Sequence, residues 1–166
     1  LSVNGLLAAP SVAVQPGAWL KGIGVILGNV FNNGGVAPGN SPGTLTITGD
    51  YTQAPGGTLQ IEIASPTVYD RLLVGGQAAL AGTLDVQAFG GFSGLQYGQQ
   101  YAFLQAGGIS GAFDTILMPD PALYRGRFLT EGGTGILLVA PASYTLVAET
   151  PNQRNIARAL DAFIGA

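Results

Sequence analysis

Gly43-Thr44-Leu45, Gly57-Thr58-Leu59 and Gly82-Thr83-Leu84 each open a stretch in which apolar and polar residues alternate. Alternation by two places one side chain in every pair on a dry face and the next on a wet one, as in a half-buried strand. The leading glycine marks a corner where the backbone bends sharply. On this phase Leu45 and Ile47, then Leu59, Ile61 and Ile63, then Leu84 and Val86 point inward. Between the last two sets lie Tyr69-Asp70-Arg71-Leu72-Leu73-Val74 and, after Gly75-Gly76, Gln77-Ala78-Ala79-Leu80. Three strands and three corners before the pattern returns describe one coil of a three-sided solenoid, within the repeat lengths of roughly 20–50 residues that mark stacked architectures. Residues 17–39 read the same way: short pieces of Val, Ile, Leu and Phe broken by turn chemistry at Asn32-Asn33-Gly34-Gly35 and Pro38-Gly39-Asn40.

Composition agrees with an all-β chain. Of 166 residues 27 are Gly and 10 Pro, yet 47% are hydrophobic, too apolar for a disordered linker and too broken for a helical bundle. Charged residues make up 9%, against roughly 25% in an ordinary soluble domain, so the surface falls to Thr, Gln, Asn, Ser and backbone. A coil of this kind cannot bury its own inward face. Each apolar side chain contributes about 1.5–3 kcal/mol only once neighbouring coils cover it, so an open end needs a cap.

The net charge is −3, and Lys21, Arg71, Arg125, Arg127, Arg154 and Arg158 are scattered rather than clustered. Binding to a phosphate backbone relies on clustered cations, which argues against nucleic acid as a partner. The chain has no cysteine, a composition that suits export in an unfolded state. Leu1-Ser2-Val3-Asn4-Gly5 lacks the charged and apolar regions of a signal peptide, and the expectation is a fragment or a processed product. Gly and Pro interrupt every apolar run before it reaches the length of a membrane helix.

The rhythm changes after Phe89. Tyr101-Ala102-Phe103-Leu104, Phe113-Asp114-Thr115-Ile116-Leu117, Tyr124 to Leu129 and Gly135 to Val139 read as longer strands suited to hairpins folded across a solenoid end. The expected division is therefore coils over 1–89, a hairpin cap over 90–148 and an amphipathic helix over 149–166. At the start of that helix Thr150 is the N-cap, Pro151 the first helical residue and Gln153 the reciprocal partner of the cap. Ile156, Ala157, Leu160, Phe163 and Ile164 share one face, and so short a helix needs a surface to dock on.

Catalytic chemistry finds little support. Gly39-Asn40-Ser41-Pro42-Gly43 matches the G-x-S-x-G nucleophile elbow, but the serine needs a histidine base, and this chain has none. Pro42 also removes a backbone N–H that would serve an oxyanion, so the segment reads as a corner. The nine acids are Asp50, Glu62, Asp70, Asp85, Asp114, Asp120, Glu131, Glu149 and Asp161, of which stacking brings Glu62 and Asp85 nearer. A glycosidase needs two carboxylates facing across a substrate; the alternative use is to satisfy turn N–H groups, with Asp70 in local contact with Arg71. Gly22-Ile23-Gly24 begins like a dinucleotide fingerprint, but Leu27 stands where the third glycine belongs and no helix follows. Thr44, Thr46 and Thr48 form one outward threonine row, Met118 and Trp19 read as packing residues, and His or Cys metal sites are excluded by composition. The expectation is no catalytic residue, no cofactor and no metal.

Read in order, residues 34–45 (GGVAPGNSPGTL), then Gly49-Asp50-Tyr51-Thr52-Gln53, then Gly57-Thr58-Leu59-Gln60-Ile61-Glu62 resemble the C-terminal passenger region of bacterial type V autotransporters. The likeness continues through Asp70, Leu72, Val74, Gly76, Ala78, Leu80, Gly82, Thr83 and Leu84, then Tyr101, Leu104, Gly111 and Phe113. The tail from Thr150-Pro151-Asn152-Gln153 through Ala157-Arg158-Ala159-Leu160 is similar to the segment leading toward the outer-membrane barrel. The resemblance implies a right-handed parallel β-helix with an autochaperone-like cap, exported through a barrel at its own C-terminus. It implies no catalytic residues.

The function expected from these readings is a non-catalytic stem that nucleates and caps β-helix folding during export, at the cell surface or released from it. Its partners are its own upstream coils and the downstream barrel. The alternatives are an adhesin-type module binding a host or matrix ligand, and a polysaccharide-acting enzyme built on acids with Arg71 or Arg127.

Overall fold

The structure, a computed structural model, describes residues 1–164, the side chain of Ile164 excepted. Gly165 and Ala166, at the end of the segment 149–166, and the Ile164 side chain expected on the apolar face lie outside the described residues. In chain order the strands are β1 (Leu6–Val14), β2 (Trp19–Gly22), β3 (Val25–Asn32), β4 (Gly35–Pro38), β5 (Thr44–Ile47), β6 (Tyr51–Gln53), β7 (Thr58–Ile63) and β8 (Arg71–Val74). They continue as β9 (Gln77–Leu80), β10 (Thr83–Ala88), β11 (Gln100–Gln105), β12 (Gly108–Gly111), β13 (Thr115–Leu117), β14 (Tyr124–Glu131) and β15 (Thr134–Pro141), and the helix α1 spans Pro151–Ile164. The described residues are all-β apart from α1 and two short 3₁₀ turns.

Parallel pairing dominates and falls into three ladders. One runs β2, β4, β7, β10, β13. The other two share β1 and β3: Val25 and Ile26 pair with β5, which leads to β8 and β11, whereas Val30, Phe31 and Asn32 pair with β6, which leads to β9 and β12. From β2 to β12, each passage of the chain thus contributes a strand to each ladder in turn. Parallel neighbours cannot be joined by a tight turn, and here the intervening chain is spent on the other two ladders.

Register explains the core. Leu20, Val36, Leu59, Leu84 and Ile116 stand in one inward column. Leu45, Leu72 and Leu104 form a second, and Val12, Val30, Tyr51, Ala78 and Ile109 a third. Leu45, Ile47, Leu59, Ile61, Ile63, Leu84 and Val86, the residues expected to point inward, are all buried. Each contributes about 1.5–3 kcal/mol of burial, and only because the next rung covers it.

Of the four later stretches read as hairpin strands, only the last two form a hairpin. Strands β11 and β13 continue the parallel ladders onto β8 and β10, so parallel pairing runs on to Leu117. The physical reason is that an open strand edge accepts any segment of matching period, and the loop between β10 and β11 delays this without reversing it. Strand β15 then turns back antiparallel on β11, and β14 pairs antiparallel with β15. Phe128 of this hairpin packs edge-on against Phe113, ring centroids 5.0 Å apart at 77°, and against Phe103 at 6.0 Å. Such pairs add about 0.5–1.5 kcal/mol each beyond burial.

Helix α1 begins at the cap its sequence announces: Gln153 donates its N–H to Thr150 Oγ1 at 3.2 Å, and Thr150 donates its own to Gln153 Oε1 at 2.8 Å. Among the described residues, its apolar face is only partly covered. Ala157 is buried, but Ile156, Leu160 and Phe163 are exposed. The helix is held to the 3₁₀ turn Tyr144–Val147 by the Asp161 carboxylate, which accepts from Ser143 Oγ at 2.5 Å and from the Tyr144 and Thr145 N–H groups at 2.6 and 3.2 Å. These bonds hold the Asp161 carboxyl below its usual range.

Candidate functional site

On β7 and β10, Gln60 lies opposite Asp85 and Glu62 opposite Gln87. Glu62 and Asp85 are thus on adjacent strands of one face, two positions out of register. Both Asp85 oxygens are engaged: Gln60 Nε2 donates to Oδ2 at 3.0 Å and Gln87 Nε2 to Oδ1 at 2.6 Å. The arrangement is a polar ladder of side-chain amides around a carboxylate, well suited to hold neighbouring rungs in register.

Five of the aspartates accept backbone N–H groups. Asp50 takes that of Gln77 at 2.8 Å, Asp114 that of Gly82 at 2.6 Å and Asp120 that of Ala122 at 3.1 Å, and Asp161 caps the 3₁₀ turn. The fifth, Asp70, corrects the expected contact with Arg71. Successive strand residues face opposite ways, so Arg71 lies outside, over the Tyr69 ring at 5.1 Å. Asp70 lies inside, 1% exposed, accepting the N–H of Gly43 at 2.7 Å and that of Glu62 at 2.9 Å. Burial pushes its carboxyl up to about 6, the two N–H bonds pull it down, and the nearby Glu62 charge adds to the rise. Asp70 therefore ties the corner preceding β5 to β7.

That corner holds the G-x-S-x-G match. Ser41 is exposed with φ of 110°, and Asn40 reaches back to Asn4 Oδ1 at 2.9 Å. Thr44, Thr46 and Thr48 do form an outward row, but the column through Thr46 is Val25 and Leu73, and Thr44 neighbours Arg71, so threonine does not recur from rung to rung. Trp19 packs under the Lys21 ammonium at 5.2 Å. Arg127 stands on β14, away from Arg71 on β8 in strand order. Among the described residues, no group of three or more Asp or Glu side chains is placed to hold a metal ion, and none of the described helices is long and apolar enough to cross a membrane.

A buried polar cluster escaped the reading of the sequence. Asn32, Tyr51 and Gln53 are at most 2% exposed. Asn32 Nδ2 donates to Tyr51 Oη at 3.1 Å and to the Thr58 carbonyl at 3.0 Å, and Tyr51 Oη donates to Gln53 Oε1 at 2.6 Å. Gln53 Nε2 reaches the carbonyls of Ala81 at 2.7 Å and Thr83 at 3.0 Å. Burial raises the Tyr51 hydroxyl above its ordinary range, and it pushes Tyr101 up to about 12 with help from Tyr69. The signal was present: Asn32 falls on the inward phase of Ile26 and Val30, and Gln53 on that of Tyr51.

The remaining surface is an edge. Among the described residues, strand β1 pairs only with β3, leaving its other side open. Nearby on the outside, Leu6, Ile23 and Leu27 are 69%, 52% and 42% exposed. No protein-family model matches the chain, and no curated protein matches it.

Proposed function

We propose that the chain is a right-handed, three-sided parallel β-helix and that it serves as the non-catalytic C-terminal stem of a secreted bacterial autotransporter passenger. In this role it nucleates and caps folding during export across the outer membrane, with coils over 1–89, a closing segment within 90–148 and the helix of 149–166 leading toward a translocator barrel. Its partners are the upstream coils and that barrel, and its place is the cell surface or the medium, attached to or released from the outer membrane. One observation carries the reading: strands recur in three parallel ladders, with an antiparallel hairpin at one end and the bare edge of β1 at the other. A closed end that folds first offers later rungs a finished template, and non-local strand pairing is slow without one. The test is deletion of residues 90–148 from the full-length protein. The expected outcome is loss of protease-resistant passenger at the surface; an intact, resistant passenger overturns the role.

A second reading, an adhesin module, draws support from exposed Leu6, Ile23 and Leu27. Binding of the chain to purified host matrix proteins, abolished by Ile23→Asp with Leu27→Asp, would favour it over the stem role alone.

A further inference from the structure

Glycine is placed in this chain for two separable reasons, and Gly5 has neither. Gly17, Gly90, Gly91, Gly98 and Gly132 have open space around the α-carbon but adopt φ between 52° and 84°, which side chains resist. Gly24, Gly34 and Gly75 have backbone any residue adopts, yet a Cβ on each would collide with a carbonyl of the preceding rung: Gly5, Gln15 and Thr48 respectively. The obstruction comes from the N-terminal side in each case. Gly5 lies directly before Gly24 in this stack, its carbonyl accepting the Val25 N–H at 2.8 Å. No positive φ requires glycine there, and nothing lies within 4 Å of where its Cβ would be.

The strand that follows Gly5 is incomplete in the same direction. Strand β1 has one partner among the described residues. Its inward Leu7 and Val12 are half-buried, whereas Ile26 and Val30, their register partners on β3, are 0% and 1% exposed. Pro10, which lacks an N–H, sits at the register shift between the two halves of β1 and leaves the donors of both halves in place.

We infer that the free edge of β1 seats one more parallel rung, supplied by chain N-terminal to Leu1, and that a backbone carbonyl of that rung lies against the α-carbon of Gly5. The inference rests on the stem role for the identity of the strand and adds to it a position that sets how the strand docks. A parallel strand fits because the ladders of β1 are parallel, so the same hydrogen-bond directions continue upward. It would cover Leu7 and Val12 as β1 covers Ile26 and Val30.

The experiment places Gly5→Val and the milder Gly5→Ala in two chains, the 166-residue protein and the longer passenger that precedes it. In the longer passenger, Gly5→Val is expected to speed protease cleavage at least about tenfold and to raise amide exchange along β1. In the 166-residue chain neither variant shifts the melting midpoint, because the space is empty. Equal effects in both chains, no effect in either, or a native chain that begins at Leu1 overturns the inference. Selective loosening of the longer chain, in a protein that still displays its passenger without residues 90–148, sinks templating and leaves the docking of the rung standing.

Discussion

Gln53 donates through Nε2 to the carbonyl of Ala81 at 2.7 Å, bridging 28 residues of chain from inside the fold. Together with Asn32 and Tyr51 it links β3, β6 and the segment running from Ala81 into β10 by side chain rather than by ladder. Replacing Gln53 with Leu keeps the volume but strips the carbonyls of Ala81 and Thr83 of these donors in a dry interior. The expected cost is about 2–4 kcal/mol, since a buried group left unsatisfied loses its full desolvation energy. Urea midpoints measure it, with exposed Gln105→Ala as a control expected within about 0.5 kcal/mol of the parent.

Asp70 gives the protein a pH dependence of unusual sign. Folded Asp70 keeps its proton up to about pH 6, while the unfolded side chain releases it at the ordinary value of 3.8. Between these values the folded state binds more protons, so this group's contribution to stability falls as pH rises through the window and levels off above it. The effect amounts to roughly 3 kcal/mol at most. Subtracting the stability profile of Asp70→Asn from that of the parent isolates it; a difference curve that is flat from pH 4 to 6 would refute the assignment.

Gly24 is expected to tolerate no side chain. A Cβ there meets the Gly5 carbonyl of the preceding rung, and the ladder spacing of about 4.8 Å cannot widen locally without breaking neighbouring bonds. Gly24→Ala should destabilise the fold by about 2–4 kcal/mol, read as a lowered denaturation midpoint.

The hold on α1 is polar and therefore separable from the body of the protein. Thr150→Ala removes the cap and should cost the helix about 1 kcal/mol. Asp161→Asn weakens the attachment to the 3₁₀ turn, and so does acid: its carboxyl is held below the usual range, so its contribution is present above the ordinary aspartate value and lost as pH falls through the depressed one. Amide exchange resolved by segment is expected to show residues 144–164 loosening in both variants while β7 and β10 stay protected.

Faces were readable from the chain; neighbours were not. The alternation after Gly43, Gly57 and Gly82 determined which side chains of those strands point inward, and Thr150 with Gln153 determined where the helix begins, because both signals are local and depend on nothing beyond a few residues. Period two says which face a residue takes and is silent about which strand lies beside it. That is why Phe113 to Leu117 read as part of a hairpin, although β13 lies parallel to β10. The same gap hid the partners that Asp70 finds in Gly43 and Glu62, and those that Asn32, Tyr51 and Gln53 find in one another. These groups meet partners outside their own strand, and only the pairing of separate strands side by side brings those partners within hydrogen-bond reach.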